Sequence, residues 1–406
     1  MVRKDNLPLG WNSVKLADAC HLENGDRGKN YPSRKFYITQ GIPFVTAGNL
    51  SNLRIAEIGL NYISKERFDR LGNGKYRKGD ILFCLRGSLG KFAVVDTDVN
   101  GAIASSLVII RPFEELSVGF LSAYLQSSSC AEMINKYNNG AAQPNLAAAS
   151  LKKFNLPLPP LSEQHRIIAK LDSLFVRIDR AFELAQQNIV RAQQFMASVL
   201  NDALDDLDCE KVKVQDACVI NPLKSEVKGL GDIEVSFLPM ADLNEHQIDF
   251  APKQTKKLTE VYTGYTYFKD GDVLLAKVTP CFENGKAGLA SNLVNGIGFG
   301  SSEYYVLRAN PNILPAYIYY NLTTSEFLRL GAQNMSGAVG LKRVTKEFLF
   351  NYKIPLPSLA VQENVIKYFA DQTTKVAALT ARMNIRLAKL GALKSSLLDV
   401  AFKGEL

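Results

Sequence analysis

Two long stretches of the chain carry apolar residues at alternating intervals of three and four. In the first, Ile168, Leu171, Phe175, Ile178, Phe182, Ala185, Ile189, Ala192, Met196, Val199 and Ala203 hold this spacing without a break. In the second, Ile366, Phe369, Val376, Met383, Leu387, Leu390, Leu397 and Ala401 keep the same phase, interrupted by Thr373, Thr380 and Lys394. That period aligns one face of an α-helix and predicts a coiled-coil seam on each. A proline step precedes both, Pro157, Pro159 and Pro160 or Pro355 and Pro357, which excludes helix and fixes an extended entry. Ahead of each step lie about 150 residues of short β-branched and aromatic runs, such as 102–111 and 304–308, punctuated by Gly and Asn. These predict α+β globular domains, with Gly72-Asn-Gly74 as a hairpin turn.

The pattern repeats at an offset of 198 residues. Val14-Lys-Leu-Ala-Asp-Ala-Cys20 returns as Val212-Lys-Val-Gln-Asp-Ala-Cys218, and Pro157-Leu-Pro-Pro-Leu161 with Gln164 returns as Pro355-Leu-Pro-Ser-Leu359 with Gln362. Between these anchors the register slips, yet Lys78-Gly-Asp-Ile-Leu82 still matches Asp270-Gly-Asp-Val-Leu274, and Ser105-Ser106 matches Ser301-Ser302. One fold is therefore expected twice, with differing loops. The boundaries expected are 1–157 and 208–355 for two similar heads, with 158–207 and 356–406 for two long helices. The first helix delivers the chain to the second head and the second helix starts there. A pseudo-twofold repeat then requires the helices to run antiparallel, so that Leu406 ends near the start of the chain. At 1.5 Å per residue, 162–204 would make a rod of roughly 60 Å.

Composition narrows the class. At 406 residues, 47% hydrophobic and 22% charged, the chain is too apolar for disorder and too long for one core. No apolar run is long enough for a membrane span, and no apolar signal core follows Met1. Six scattered cysteines without a C-x-x-C pair fit reduced thiols in a cytoplasm rather than disulfides or zinc. The formal charge of +8 favours an anionic partner, but residues 1–156 hold 20 basic and 13 acidic residues while 208–355 hold 16 of each.

Catalytic chemistry is missing. Asn221-Pro222-Leu223-Lys224 lacks the second proline and the aromatic residue that an amino-methyltransferase uses to grip a flipped base, and reads as a turn. Gly296-Ile-Gly-Phe-Gly300 has neither dinucleotide nor P-loop spacing. Glu226-Val-Lys228 reads as a solvated loop, and His21, His165 and His246 have no partnered nucleophile. No catalytic residue, metal site or cofactor is expected. The tyrosines at 304, 305, 317, 319 and 320 read as core.

Two heads on paired helices suggest a reader of two sites a fixed distance apart, and double-stranded DNA is the expected partner. Unlike a homodimer, diverged heads would read an asymmetric bipartite target. Candidate contacts in the first head are Arg27, Lys29, Arg34 and Lys35; Lys75, Arg77 and Lys78; Arg86, Ser88 and Lys91; and Gln143 and Asn145 as adenine readers. In the second head they are Lys253, Lys256, Lys257, Lys277 and Lys286, with Lys342-Arg343 placed like Asn145-Leu146. Two alternatives are a coiled-coil adaptor that binds protein only, and a self-contained methyltransferase or nuclease.

Gly140-Ala-Ala-Gln-Pro-Asn-Leu146 followed by Leu156-Pro-Leu-Pro-Pro-Leu-Ser-Glu-Gln-His-Arg-Ile-Ile168 resembles the junction between recognition domain and helix in type I restriction-modification specificity subunits. Leu393-Lys-Ser-Ser-Leu-Leu-Asp-Val-Ala-Phe-Lys-Gly-Glu-Leu406 resembles the family's closing helix, and Leu7-Pro-Leu-Gly-Trp11 its opening. The second copy of the junction departs, with Gly337-Ala-Val-Gly340 and no Gln-Pro-Asn. The resemblance implies a subunit that neither methylates nor cuts. It implies docking of two modification (methyltransferase) subunits that carry S-adenosylmethionine, with motor and nuclease restriction subunits joining them. Inserting seven residues in phase into both helices, roughly 10 Å, is expected to lengthen the gap between half-sites or abolish recognition. Mapping methylated sites checks this; an unchanged gap with activity intact would refute it.

Overall fold

The strand Leu107–Pro112 lies between Cys20–Asn24 and Ile81–Cys84, antiparallel to both, with Phe92–Val94 beyond. Its residues Leu107, Val108, Ile109 and Ile110 are all fully buried because the sheet is covered on both faces. Val108 and Ile110 pack with Phe83, Phe120 and Tyr124 on the helical side, while Leu107 and Ile109 pack with Val45, Tyr76 and Ile103 of a second sheet. That sheet runs in the order Asn61–Ile63, Ile42–Val45, Gly101–Ile103, Lys75–Tyr76, its central pair parallel.

The computed structural model describes residues 7–138, 144–338 and 340–406, in two compact units, the first running up to Ala185 and taking in Ile385–Leu406, the second Gln186–Asn384. The second unit repeats the topology. Cys218–Ile220, Tyr304–Ala309, Asp272–Ala276 and Ala287–Leu289 form one sheet; Gln254–Lys257, Glu234–Leu238, Ile297–Gly300 and Thr266–Lys269 form the other, again with a parallel central pair. The tyrosines 304, 305, 317, 319 and 320 are all buried in it. The fold is α+β, built twice.

Two local features refine the sequence reading. The apolar run 102–111 is two strands, since the chain turns at Ser105 and passes from one sheet to the other. Gly72-Asn-Gly74 joins the helix Lys65–Asp69 to a strand instead of closing a hairpin. Asp26 accepts the Gly72 N–H at 2.9 Å and Glu23 the Gly74 N–H at 2.6 Å, so two carboxylates fix this segment.

The two long helices are Leu161–Asp205 and Leu359–Lys403. Every expected seam position is buried or half-buried, among them Leu171, Ile178, Ala185 and Ala192 on the first and Phe369 and Ala401 on the second. The compact units divide each helix because its ends enter different cores. In the first unit Leu398, Ala401 and Phe402 join Ile167 and Leu171, and Phe402 lies edge-on to Phe120 with centroids 5.0 Å apart. Arg166 donates to the carbonyl of Leu406, and Lys394 pairs with Asp179 at 2.8 Å, so within this unit the helices run in opposite directions and the last residue returns to the first head. Lys394 also lies over the Phe175 ring at 4.9 Å, which explains a lysine on an apolar seam. In the second unit Leu204 and Phe369 share one core, Phe369 packing on Tyr320 at 5.0 Å.

Candidate nucleic-acid interface

In the first head the buried strand Ile81–Cys84 emerges at Arg86, which pairs backbone to backbone with Asn145. Leu146 N–H donates to Leu85 O at 2.9 Å and Gly87 N–H to Pro144 O at 3.0 Å. Leu85 N–H meets Ser106 O at 2.9 Å, and Arg27 Nη2 donates to Ser105 O at 3.3 Å. Arg27, Arg86, Ser88 and Asn145 thus share one edge, the first three exposed. Asn138 Oδ1 accepts the Asn145 N–H at 3.1 Å. Gln143 lies outside the described residues.

The other candidates are placed elsewhere. Lys75, Arg77 and Lys78 precede the strand that Arg86 follows, so a buried strand separates the two groups. Lys75 Nζ is bound to Asp69 O at 3.1 Å, and Lys78 pairs with Asp98 at 3.1 Å. Lys91 is exposed where its carbonyl closes the hairpin on Cys84 N–H. Lys29, Arg34 and Lys35 are exposed on the segment after Cys20–Asn24, where Arg67, which no sequence pattern marks, stacks its guanidinium on the Phe36 ring at 3.6 Å.

The same edge is built in the second head. Thr279 N–H donates to Lys342 O at 2.9 Å, Val344 N–H to Lys277 O at 2.8 Å, and Val278 bridges Arg343. Lys277 N–H meets Glu303 O at 3.0 Å, as Leu85 meets Ser106. The residue equivalent to Asn145 is therefore Arg343, with Val344 at Leu146, one position from the expected register, because the backbone pairing fixes the alignment. Arg343 makes two hydrogen bonds to Glu303, at 2.9 and 2.7 Å, which hold the Glu303 carboxyl below its usual value. Lys277 Nζ donates to Ser302 O at 2.8 Å, and burial pulls its ammonium below the ordinary lysine value. Lys342 is exposed and, among the described residues, has no ion-pair partner. Lys286 Nζ is tied to Met240 O at 3.2 Å. Lys253 and Lys257 pair with Asp242 and Asp232, and Lys256 lies over the Phe237 ring at 4.0 Å, all on or beside the strand Gln254–Lys257 and not on the Arg343 edge.

The repeated Gly-Asp motif has a structural role. Asp80 and Asp272, each 1% exposed, accept paired hydrogen bonds from Arg111 and Arg308. Glu226, expected in a solvated loop, instead binds Arg308 Nη1 at 2.7 Å, and this arginine holds its carboxyl below the usual range. The Cys20 and Cys218 thiols are pushed up to about 12 by burial, which leaves them inert at neutral pH. Among the described residues no His, Cys, Asp and Glu group has the arrangement of a metal site, and no helix is long and apolar enough to cross a membrane.

Two α+β heads, each presenting a polar edge held by backbone pairing, and two long helices that enter both cores define a duplicated recognition protein. The chain belongs to the type I restriction modification DNA specificity domain family, whose profile matches residues 8–187 and again 207–388. The type I restriction enzyme EcoEI specificity subunit of Escherichia coli is 38% identical over 162 residues, 40% of this chain and 27% of that protein. The alignment thus spans about a quarter of that relative's length. The StySPI specificity subunit of Salmonella potsdam is 22% identical over 100% of this chain and 91% of its own. Among solved structures, a chain from the type I R-M system, studied for its complex assembly and conformational transition, has a TM-score of 0.75 at 21% identity, covering 98% of this chain and 99% of that one. The HsdS subunit from Thermoanaerobacter tengcongensis has a TM-score of 0.56 at 21% identity over 98% of each. Both share the fold.

Proposed function

We propose that this chain is the DNA-recognition subunit of a type I restriction-modification complex, in which each head reads one half of an asymmetric bipartite duplex target. The observation that carries this is the edge built twice on the same backbone pairing but furnished differently, Arg86 and Asn145 in one head and Lys277, Lys342 and Arg343 in the other. A shared frame with unlike side chains suits two half-sites of unlike sequence. The local basic residues also answer the neutral balance of the second head. In this reading the chain carries no catalytic group. It positions two modification subunits, which bring S-adenosylmethionine and perform base flipping and methyl transfer, while restriction subunits join to translocate and cut. The complex works in the cytoplasm, in keeping with six unpaired cysteines.

The test is genome-wide mapping of methylated adenines in cells carrying the chain with its partner subunits. A single asymmetric motif with a fixed internal gap is expected. Methylation without sequence preference would favour a protein-only adaptor, and methyl transfer by the purified chain alone would make it an enzyme; either result ends this reading. Binding of the assembled complex to its target should also weaken linearly in log affinity against log salt, as phosphate contacts require.

A further inference from the structure

Arg343 is a buttressed fork. A guanidinium carries five N–H donors in one plane. Nε and Nη2 each give one to Glu303, so one edge is committed to the carboxylate and the outer edge keeps the Nη1 hydrogens and the second Nη2 hydrogen. The Arg343 side chain is 42% exposed and that of Glu303 25%, so the fork stands at the surface on a half-covered support. Its backbone is fixed by the bridge to Val278 and by Tyr305, whose hydroxyl donates to Val344 O at 2.8 Å. Such a side chain has little conformational freedom left to lose on binding. Lys277 and Lys346 lie close enough to act electrostatically on this cluster, and Lys342 is next in sequence, so the edge is locally cationic despite its carboxylate.

We propose that Arg343 is the specificity-determining base reader of the second head, its outer guanidinium edge making a bidentate contact to guanine O6 and N7, and that Glu303 is the positioning residue that aims it. This rests on the DNA-recognition reading above. A planar fork matches the two acceptors guanine shows in the major groove, whereas the point charge of a lysine does not. In the first head the equivalent backbone position carries Asn145, whose amide matches adenine instead. The heads therefore differ at one structural position by the two residue types that separate the purines.

The experiment compares methylated-site maps and methylation rates of the assembled complex carrying wild-type chain, Arg343→Ala, Arg343→Lys or Glu303→Gln. The wild-type motif should contain a G·C pair at a fixed position in one half-site. Arg343→Ala should lower methylation of that site roughly 5- to 150-fold, the discrimination carried by one bidentate base contact, and relax that position alone. Arg343→Lys should relax the same position while keeping charge and fold, so its effect cannot come from unfolding. Glu303→Gln should relax it by a smaller factor, with the other half-site read as before. A merely structural pair would instead lower methylation at all sites with the motif unchanged. That outcome, unaltered discrimination in both Arg343 variants, or a bipartite motif whose affected half lacks G·C overturns the proposal and leaves DNA recognition by the chain standing. A wild-type complex with no bipartite motif refutes the recognition reading itself.

Discussion

Arg308→Ala should destabilise the second unit by about 3–5 kcal/mol, the cost of removing one partner from a buried ion pair. Asp272 is 1% exposed, and its oxygens accept from Arg308 Nε at 2.7 Å and Nη2 at 2.8 Å. Without the arginine, the Lys269 N–H at 2.9 Å is, among the described residues, the hydrogen bond that remains to a carboxylate that water does not reach. Replacing both charges together, Arg308→Met with Asp272→Leu, should recover most of the loss because no charge is then stranded. Arg111 and Asp80 repeat the arrangement in the first unit, at 2.7 and 2.8 Å, so Arg111→Ala should act there by a similar amount. Urea unfolding measures the loss, and hydrogen exchange at Leu274 against Leu82 assigns it to one unit. A midpoint corresponding to less than about 1 kcal/mol for either variant would show that the pair is not what holds the strand. The acid limb gives a second signature. Arg308 lowers the folded-state titration of Glu226, so the stabilisation from that contact is present above the ordinary glutamate value and is lost as pH falls through the lower folded value. Arg308→Ala should flatten that part of the pH dependence.

What the sequence could show was whatever repeats locally or at a constant offset. The seam was legible because a 3-4 spacing states which face is buried without reference to any partner, and even Lys394 fell in phase. The anchors at 198 residues located the second head. Pairings between distant residues carry no such mark. Glu303 lies forty positions before Arg343 in an unremarkable Ser-Ser-Glu segment, and nothing local says that the two meet. Lys75, Arg77 and Lys78 looked equivalent to Arg86 because charge and glycine content are alike, whereas the strand between them carries the groups to opposite ends. Within the run 102–111 the pattern does not mark the turn at Ser105, because both halves are buried and burial on both faces removes the alternation that would show it. The repeated glutamine was visible as a letter, but its reason is tertiary.

Gln164 and Gln362 are each fully buried and make the same three hydrogen bonds. Gln164 accepts from Ser117 N–H at 2.8 Å and donates to Glu115 O at 2.8 Å and Pro159 O at 2.9 Å. Gln362 accepts from Leu314 N–H at 2.8 Å and donates to Asn312 O at 3.0 Å and Pro357 O at 2.9 Å. Ser117 and Leu314 cap the helices Val118–Leu125 and Pro315–Asn321, so one amide in the first turn of each long helix ties the proline step to a helix of its own head. Gln362→Leu should fill the volume but leave one N–H and two carbonyls unpaired, and each such group costs about 1–3 kcal/mol, so a loss of at least about 3 kcal/mol is expected. Gln362→Glu keeps the acceptor but sets a carboxylate against two carbonyl oxygens, which raises its folded-state titration above the ordinary glutamate value. The folded protein then binds the proton more tightly than the unfolded chain, so this variant should lose stability as pH rises from that ordinary value through the raised one. The Gln362→Leu defect should not vary over the same window. Unfolding midpoints measured across pH separate the two: if they move in parallel, or if Gln362→Leu matches wild type, the amide is a space-filler and the joint between helix and head is held by packing alone.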